Sequence, residues 1–120
     1  MWRWGTPGFP PDVAVVRGNF DLLRDDLLKG ADVALLIEVS HKIYASDRGR
    51  RLHRYAHNKI PVYWIVTVER RTIEVFSGPV GQGDLATYAG TPLMFHEGDA
   101  IPVELDGAVV GHVDVTEIFS

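Results

Sequence analysis

Residues 33–37 read Val-Ala-Leu-Leu-Ile, an unbroken apolar run that ends against a carboxylate, Glu38, followed by Val39 and Ser40. Such a run leaves no polar face, so residues 33–39 are expected to form a strand covered on both sides, at the centre of a sheet. The rest of the chain must supply its neighbours and its cover. Residues 12–16 read as a preceding strand, and residues 62–68 and 72–76 as an antiparallel pair joined through Glu69-Arg70-Arg71. Between them, Leu52, Tyr55 and Ala56 recur at helical spacing. A helix over residues 47–57 follows, capped by Ser46 or Ser40, turning Arg48, Arg50 and Arg54 toward solvent and ending at Ile60-Pro61.

The flanks are less regular. Three prolines and two glycines in the first eleven residues make residues 1–10 an irregular lead-in. Residues 19–30 fit either a short helix capped by Asn19 or Asp21 or a loop. Residues 77–83 read as a loop, residues 85–88, 100–105 and 108–113 as weaker strands, and Asp106-Gly107 as a hairpin turn. Residues 115–119 suit one helical turn that sets Val115, Ile118 and Phe119 against the sheet. At 120 residues the chain has room for one core, so a single α/β domain over 1–120 with a mixed sheet is expected. With no cysteine, disulfide frameworks and thiolate metal sites are excluded. The start lacks a signal-peptide stretch, and apolar runs of about five residues fall far below the roughly 20 that span a bilayer. A soluble, cytoplasmic protein is the expectation.

Charge is unevenly spread. Residues 1–40 carry four basic and six acidic side chains, residues 41–71 eight and two, and residues 72–120 none and eight. The basic block can form a phosphate-binding ridge, dock on the acidic half of the same chain, or meet a complementary subunit. Within and before it lie the groups that can do chemistry. Asp12 opens the first strand, and Glu38, in apolar surroundings, needs compensation. Together the two carboxylates can hold Mg²⁺ or Mn²⁺, which would activate water and stabilise charge on a phosphate; alternatively Glu38 faces solvent or pairs with an arginine. Ser40 shares the face of Glu38, and Lys42 and Arg51 can approach the pair. His41, His53 and His57 fall in the basic block without a zinc-type motif, His96 and His112 have no partner by spacing, and Tyr55, Tyr63 and Trp64 suit a core or a subunit contact.

Taken together, Pro11-Asp12-Val13, Ile37-Glu38-Val39-Ser40, Asp47-Arg48-Gly49-Arg50-Arg51, Tyr55 and Ile60-Pro61-Val62-Tyr63-Trp64-Ile65-Val66 resemble the Uma2 family of the PD-(D/E)XK, restriction-endonuclease-like superfamily. The resemblance runs from about residue 11 to residue 76, with a weaker echo over 113–119. It implies a restriction-endonuclease-like fold, a mixed β-sheet flanked by helices. It also implies Asp12 and Glu38 as ligands of Mg²⁺ (or Mn²⁺) and hydrolysis of DNA phosphodiester bonds. Ser40 would orient water or substrate, with Lys42 a substitute for the family's lysine. Arg51 stands where members usually present that lysine; Lys59, Val62 and Thr67 replace a usual glycine, glutamate and aspartate. Arg48, Arg50 and Arg54 would contact nucleic acid. Only ten residues precede Pro11 where members carry a helical segment, so a homo-oligomer, most simply a dimer, is expected to cover the sheet. The alternative is a non-catalytic nucleic-acid-binding or oligomeric interaction protein on the same scaffold.

Overall fold

The computed structural model describes residues 2–5, 13–17, 33–40 and 47–119, and in these the apolar run is where its composition puts it. Strand β3 (Val33–Ser40) lies inside a six-stranded sheet of order β1-β2-β3-β4-β5-β8, formed with β1 (Trp2–Gly5), β2 (Val13–Arg17), β4 (Val62–Thr67), β5 (Thr72–Ser77) and β8 (Leu93–His96). The β3–β4 pair is parallel and the other neighbours are antiparallel, so the sheet is mixed. A parallel pair needs a long crossover, and the basic block provides it. Its helix starts with a π-wound turn, Asp47–Arg51, and continues as α1 (Leu52–His57).

Both faces of the sheet are covered, which is why all six residues of β4 are buried. Beneath α1, Leu52, Tyr55 and Ala56 pack on Leu36, Tyr63, Ile65 and Phe76. On the other face, Ala34, Leu35, Trp64, Val66 and Ile73 meet Ile101, Val103 and Leu105 of a separate hairpin, β9 (Ala100–Leu105) and β10 (Ala108–Asp114). A register shift between β2 and β3, where Val15 pairs with Leu35 but Val16 with Val33, explains how the successive residues Ala34 and Leu35 share one face. Asp106 and Gly107, with φ of 53° and 82°, turn the β9–β10 hairpin as a two-residue loop of positive φ must. A single helical turn, α2 (Val115–Ile118), is capped by the Asp114 carboxylate on the Thr116 N–H and buries Val115, while Ile118 stays exposed.

Several expectations need correction. Within the lead-in, Trp2–Gly5 is a strand paired to β2: Pro7 comes after it, and the open edge of β2 offers a full ladder. Ser40 ends a strand and does not cap the helix, whose α-helical part has no side-chain cap. The loop over 77–83 contributes Pro79–Val80 (β6) to a small ribbon with Thr87–Tyr88 (β7), and the strand expected over 85–88 begins as a helical turn, Gly83–Leu85. Strand β8 has no signal of its own in the sequence, since Leu-Met-Phe-His carries neither alternation nor a β-branched residue. Asp12, residues 19–30, His41, Lys42 and Ser46 lie outside the described residues, as does the side chain of Arg48. Among the described residues no helix is long and apolar enough to cross a membrane.

Candidate functional site

Strand alternation turns Leu36, Glu38 and Ser40 toward α1. Glu38 is consequently buried, with 1% of its surface exposed, in the middle of the sheet. Two side chains one helical turn apart meet its two oxygens: Arg51 Nη1 donates to Oε2 at 2.8 Å and the Tyr55 hydroxyl donates to Oε1 at 2.8 Å. Of the two sequence readings that leave Glu38 inside the protein, a metal site and an arginine pair, the arginine pair is therefore present. Charge-assisted hydrogen bonds of this kind offset the cost of burying a carboxylate, which would otherwise reach several kcal/mol. The Arg51 side chain, 34% exposed, links the buried acid to solvent. Burial, then the hydrogen bond to Glu38 and its negative charge, push the Tyr55 phenol far above its ordinary acidity range, so it remains a proton donor at any physiological pH.

Tyr55 is held by its own packing. Its ring meets Tyr63 edge-on at 5.0 Å, Tyr63 stacks on Phe76, and the Tyr88 hydroxyl donates to the Ile60 carbonyl just beyond the helix. Tyr55, Tyr63 and Trp64 are all core residues. Below the carboxylate, Ser40 is 3% exposed and its buried Oγ has no hydrogen-bond partner among the described residues. Because an unsatisfied buried hydroxyl is costly, this atom marks a place where a ligand oxygen, a water or a cation would be welcome. The donors are hard oxygens, the type Mg²⁺ and Mn²⁺ take, so the chemistry of Glu38 and Ser40 fits such an ion. Among the described residues no group of three or more His, Cys, Asp or Glu gathers for one. Val13, the residue after Asp12, pairs with Ile37, the residue before Glu38.

A second acid, missed in the sequence, lies on the same face. Glu74 of β5 is buried and, with Ile65 between, continues the row that Glu38 begins. The signal was available: Ile73-Glu74-Val75 sets a carboxylate in apolar context just as Ile37-Glu38-Val39 does.

Around α1 the remaining basic groups point outward. Arg50 and Arg54 are exposed. The two helix histidines reach the loop before β7 through their Nδ1 atoms: His53 Nδ1 donates to the Ala86 carbonyl at 2.5 Å, and His57 Nδ1 accepts the Gly83 N–H at 2.9 Å. Pairing between the basic block and the acidic half occurs at Arg71 with Glu97. His96, for which spacing gave no partner, has its ring 3.9 Å from Asp99.

A mixed sheet flanked by helices, with a buried acid and an arginine meeting where the crossover helix covers the central strand, defines a protein of the α/β, nuclease-like class. Residues 2–109 match the model of the Uma2 family, described as "Putative restriction endonuclease", and the chain belongs to that family. No curated protein and no solved structure matches it.

Proposed function

We propose that this protein is a divalent-cation-dependent nuclease of the PD-(D/E)XK type that hydrolyses DNA phosphodiester bonds at the α1 end of β3. The observation that carries the reading is the pairing of a buried carboxylate, Glu38, with a hydroxyl that has no partner among the described residues, Ser40, two residues on and beside a partly exposed cation. Glu38 and Asp12 would hold Mg²⁺ or Mn²⁺; when bound, the ion supplies a nucleophilic water and stabilises charge on the phosphate. Tyr55 fixes the Glu38 carboxylate in one orientation. Arg51 places a permanent positive charge where a phosphate oxygen would arrive, but it remains protonated and transfers no proton; Lys42 is the group able to do so. Ser40 orients water or substrate with its unused hydroxyl.

The test is cleavage of supercoiled plasmid with Mn²⁺ or Mg²⁺. The reading expects metal-dependent nicking that Glu38→Gln abolishes; nicking unchanged in that variant rejects it. One observation favours a second reading, a scaffold that binds nucleic acid without cutting it: both Glu38 oxygens already have protein partners, so the acid is satisfied without an ion. That reading expects no cleavage with any divalent metal, no Mn²⁺ binding by calorimetry, and salt-sensitive DNA binding.

A further inference from the structure

We propose that the outer face of α1 and the turn Gly83–Leu85 form a phosphate-binding cleft, apart from the Glu38 site, that grips the sugar-phosphate backbone of duplex DNA through Arg50, Arg54 and His57. The cleft encloses about 370 Å³ and is lined by Arg50, His53, Arg54, His57, Gly83 and Asp84. All six residues are exposed, so it is a channel open to a passing chain and not a closed pocket for a small anion.

Three observations converge on phosphate. Arg50 and Arg54 stand four residues apart, which sets them one helical turn and about 6 Å apart along the axis. Neither guanidinium has a carboxylate partner among the described residues, although Arg51, which lies between them in sequence, and the later Arg71 both do. Two cations kept side by side and unpaired repel one another unless an anion joins them, and the guanidinium fork matches phosphate oxygens. The third observation concerns His57. Because its Nδ1 accepts the Gly83 N–H, the neutral ring must carry its proton on Nε2, a fixed donor at the same wall.

The cleft is also held open before any ligand arrives. Hydrogen bonds from His53 to the Ala86 carbonyl, from the Gly83 N–H to His57, and from Lys59 Nζ to the Gly81 carbonyl tie the helix to the facing loop. Gly81 secures that loop: its φ is 80°, and a Cβ there would lie 2.6 Å from the Leu85 carbonyl oxygen. Walls fixed in advance lower the ordering cost of binding. Asp84 is the one lining acid among the described residues, and its carboxylate opposes an anion in the channel. The acid therefore provides a test of sign.

The identity of the ligand rests on the nucleic-acid reading above, and the experiment separates the two. Fluorescence anisotropy of a labelled 30-base-pair duplex is measured in EDTA, where no metal-dependent step contributes, across a series of KCl concentrations. Arg50→Ala combined with Arg54→Ala is expected to weaken binding at least tenfold and to lower the log–log salt slope by about 2, since each phosphate contact contributes roughly 0.9. Asp84→Asn is expected to tighten binding about two- to threefold. Both substitutions are at exposed positions, and matching thermal midpoints confirm folding. A wild-type protein that does not bind the duplex, a double variant with unchanged affinity and slope, or an Asp84→Asn variant that binds no better overturns the cleft. Cleft-dependent binding without metal-dependent cleavage would reject hydrolysis alone, and Glu38-dependent cleavage with an unaffected double variant would reject the cleft alone.

Discussion

Glu38 is stable in the core because Arg51 and Tyr55 each donate to one of its oxygens. Removing the cation leaves the acid buried and uncompensated. Arg51→Ala is expected to cost about 2–3 kcal/mol in urea unfolding, below the 3–5 kcal/mol typical of fully buried pairs because Arg51 is partly hydrated. Arg51→Lys, which restores a positive charge, should recover more than half of the loss. Tyr55 makes a prediction in pH. Its phenol and that of Tyr88 are pushed upward in the folded protein, chiefly by burial, whereas in the unfolded chain both ionise near 10. A raised folded value means stability present below pH 10 and lost above it, at up to about 1.4 kcal/mol per pH unit for each phenol. Chemical denaturation between pH 9 and 11.5 should show that decline, and Tyr55→Phe should make it shallower. At this scale the sequence was partly readable. A carboxylate in an apolar run announces a buried acid, but nothing in spacing chooses between an ion and an arginine as its partner, and the orphaned hydroxyl of Ser40 depends on packing from elements far away in the chain.

Among the elements, β3, β4 and the helix stripe were legible because their patterns are long and strong. Strands β1, β6 and β8 were not, since two to four residues of mixed composition acquire strand geometry only from the neighbour they pair with. The end of α1 shows how a local departure is accommodated. Ile60 N–H bonds the Tyr55 carbonyl and Lys59 N–H the Ala56 carbonyl, a Schellman closure that requires the left-handed conformation seen at Lys59, φ 62°. Glycine is the residue for that position. Lys59→Gly is expected to raise stability by about 1 kcal/mol, since a side chain in that conformation costs about 1–2 kcal/mol and the exposed Lys59–Gly81 hydrogen bond offsets only part of it. A thermal melt checks it; a lowered midpoint would mean that the lysine bond to the loop outweighs the strain.

Across the molecule, the sheet separates two kinds of surface. One face carries α1, the acid–arginine pair, and Arg50 and Arg54, which have no carboxylate partner among the described residues; the other carries the apolar core under the β9–β10 hairpin. The uneven charge of the sequence foreshadowed this arrangement but not its partition, because Arg71 pairs with the acidic half through Glu97 while Arg50 and Arg54 do not. The hydrolytic account depends on an ion reaching the acid inside that first face. Its most direct measurement is anomalous diffraction from crystals soaked in Mn²⁺: the account predicts a manganese peak in direct contact with the Glu38 carboxylate. Saturating Mn²⁺ that leaves Arg51 and Tyr55 on Glu38 with no peak beside it would contradict the account.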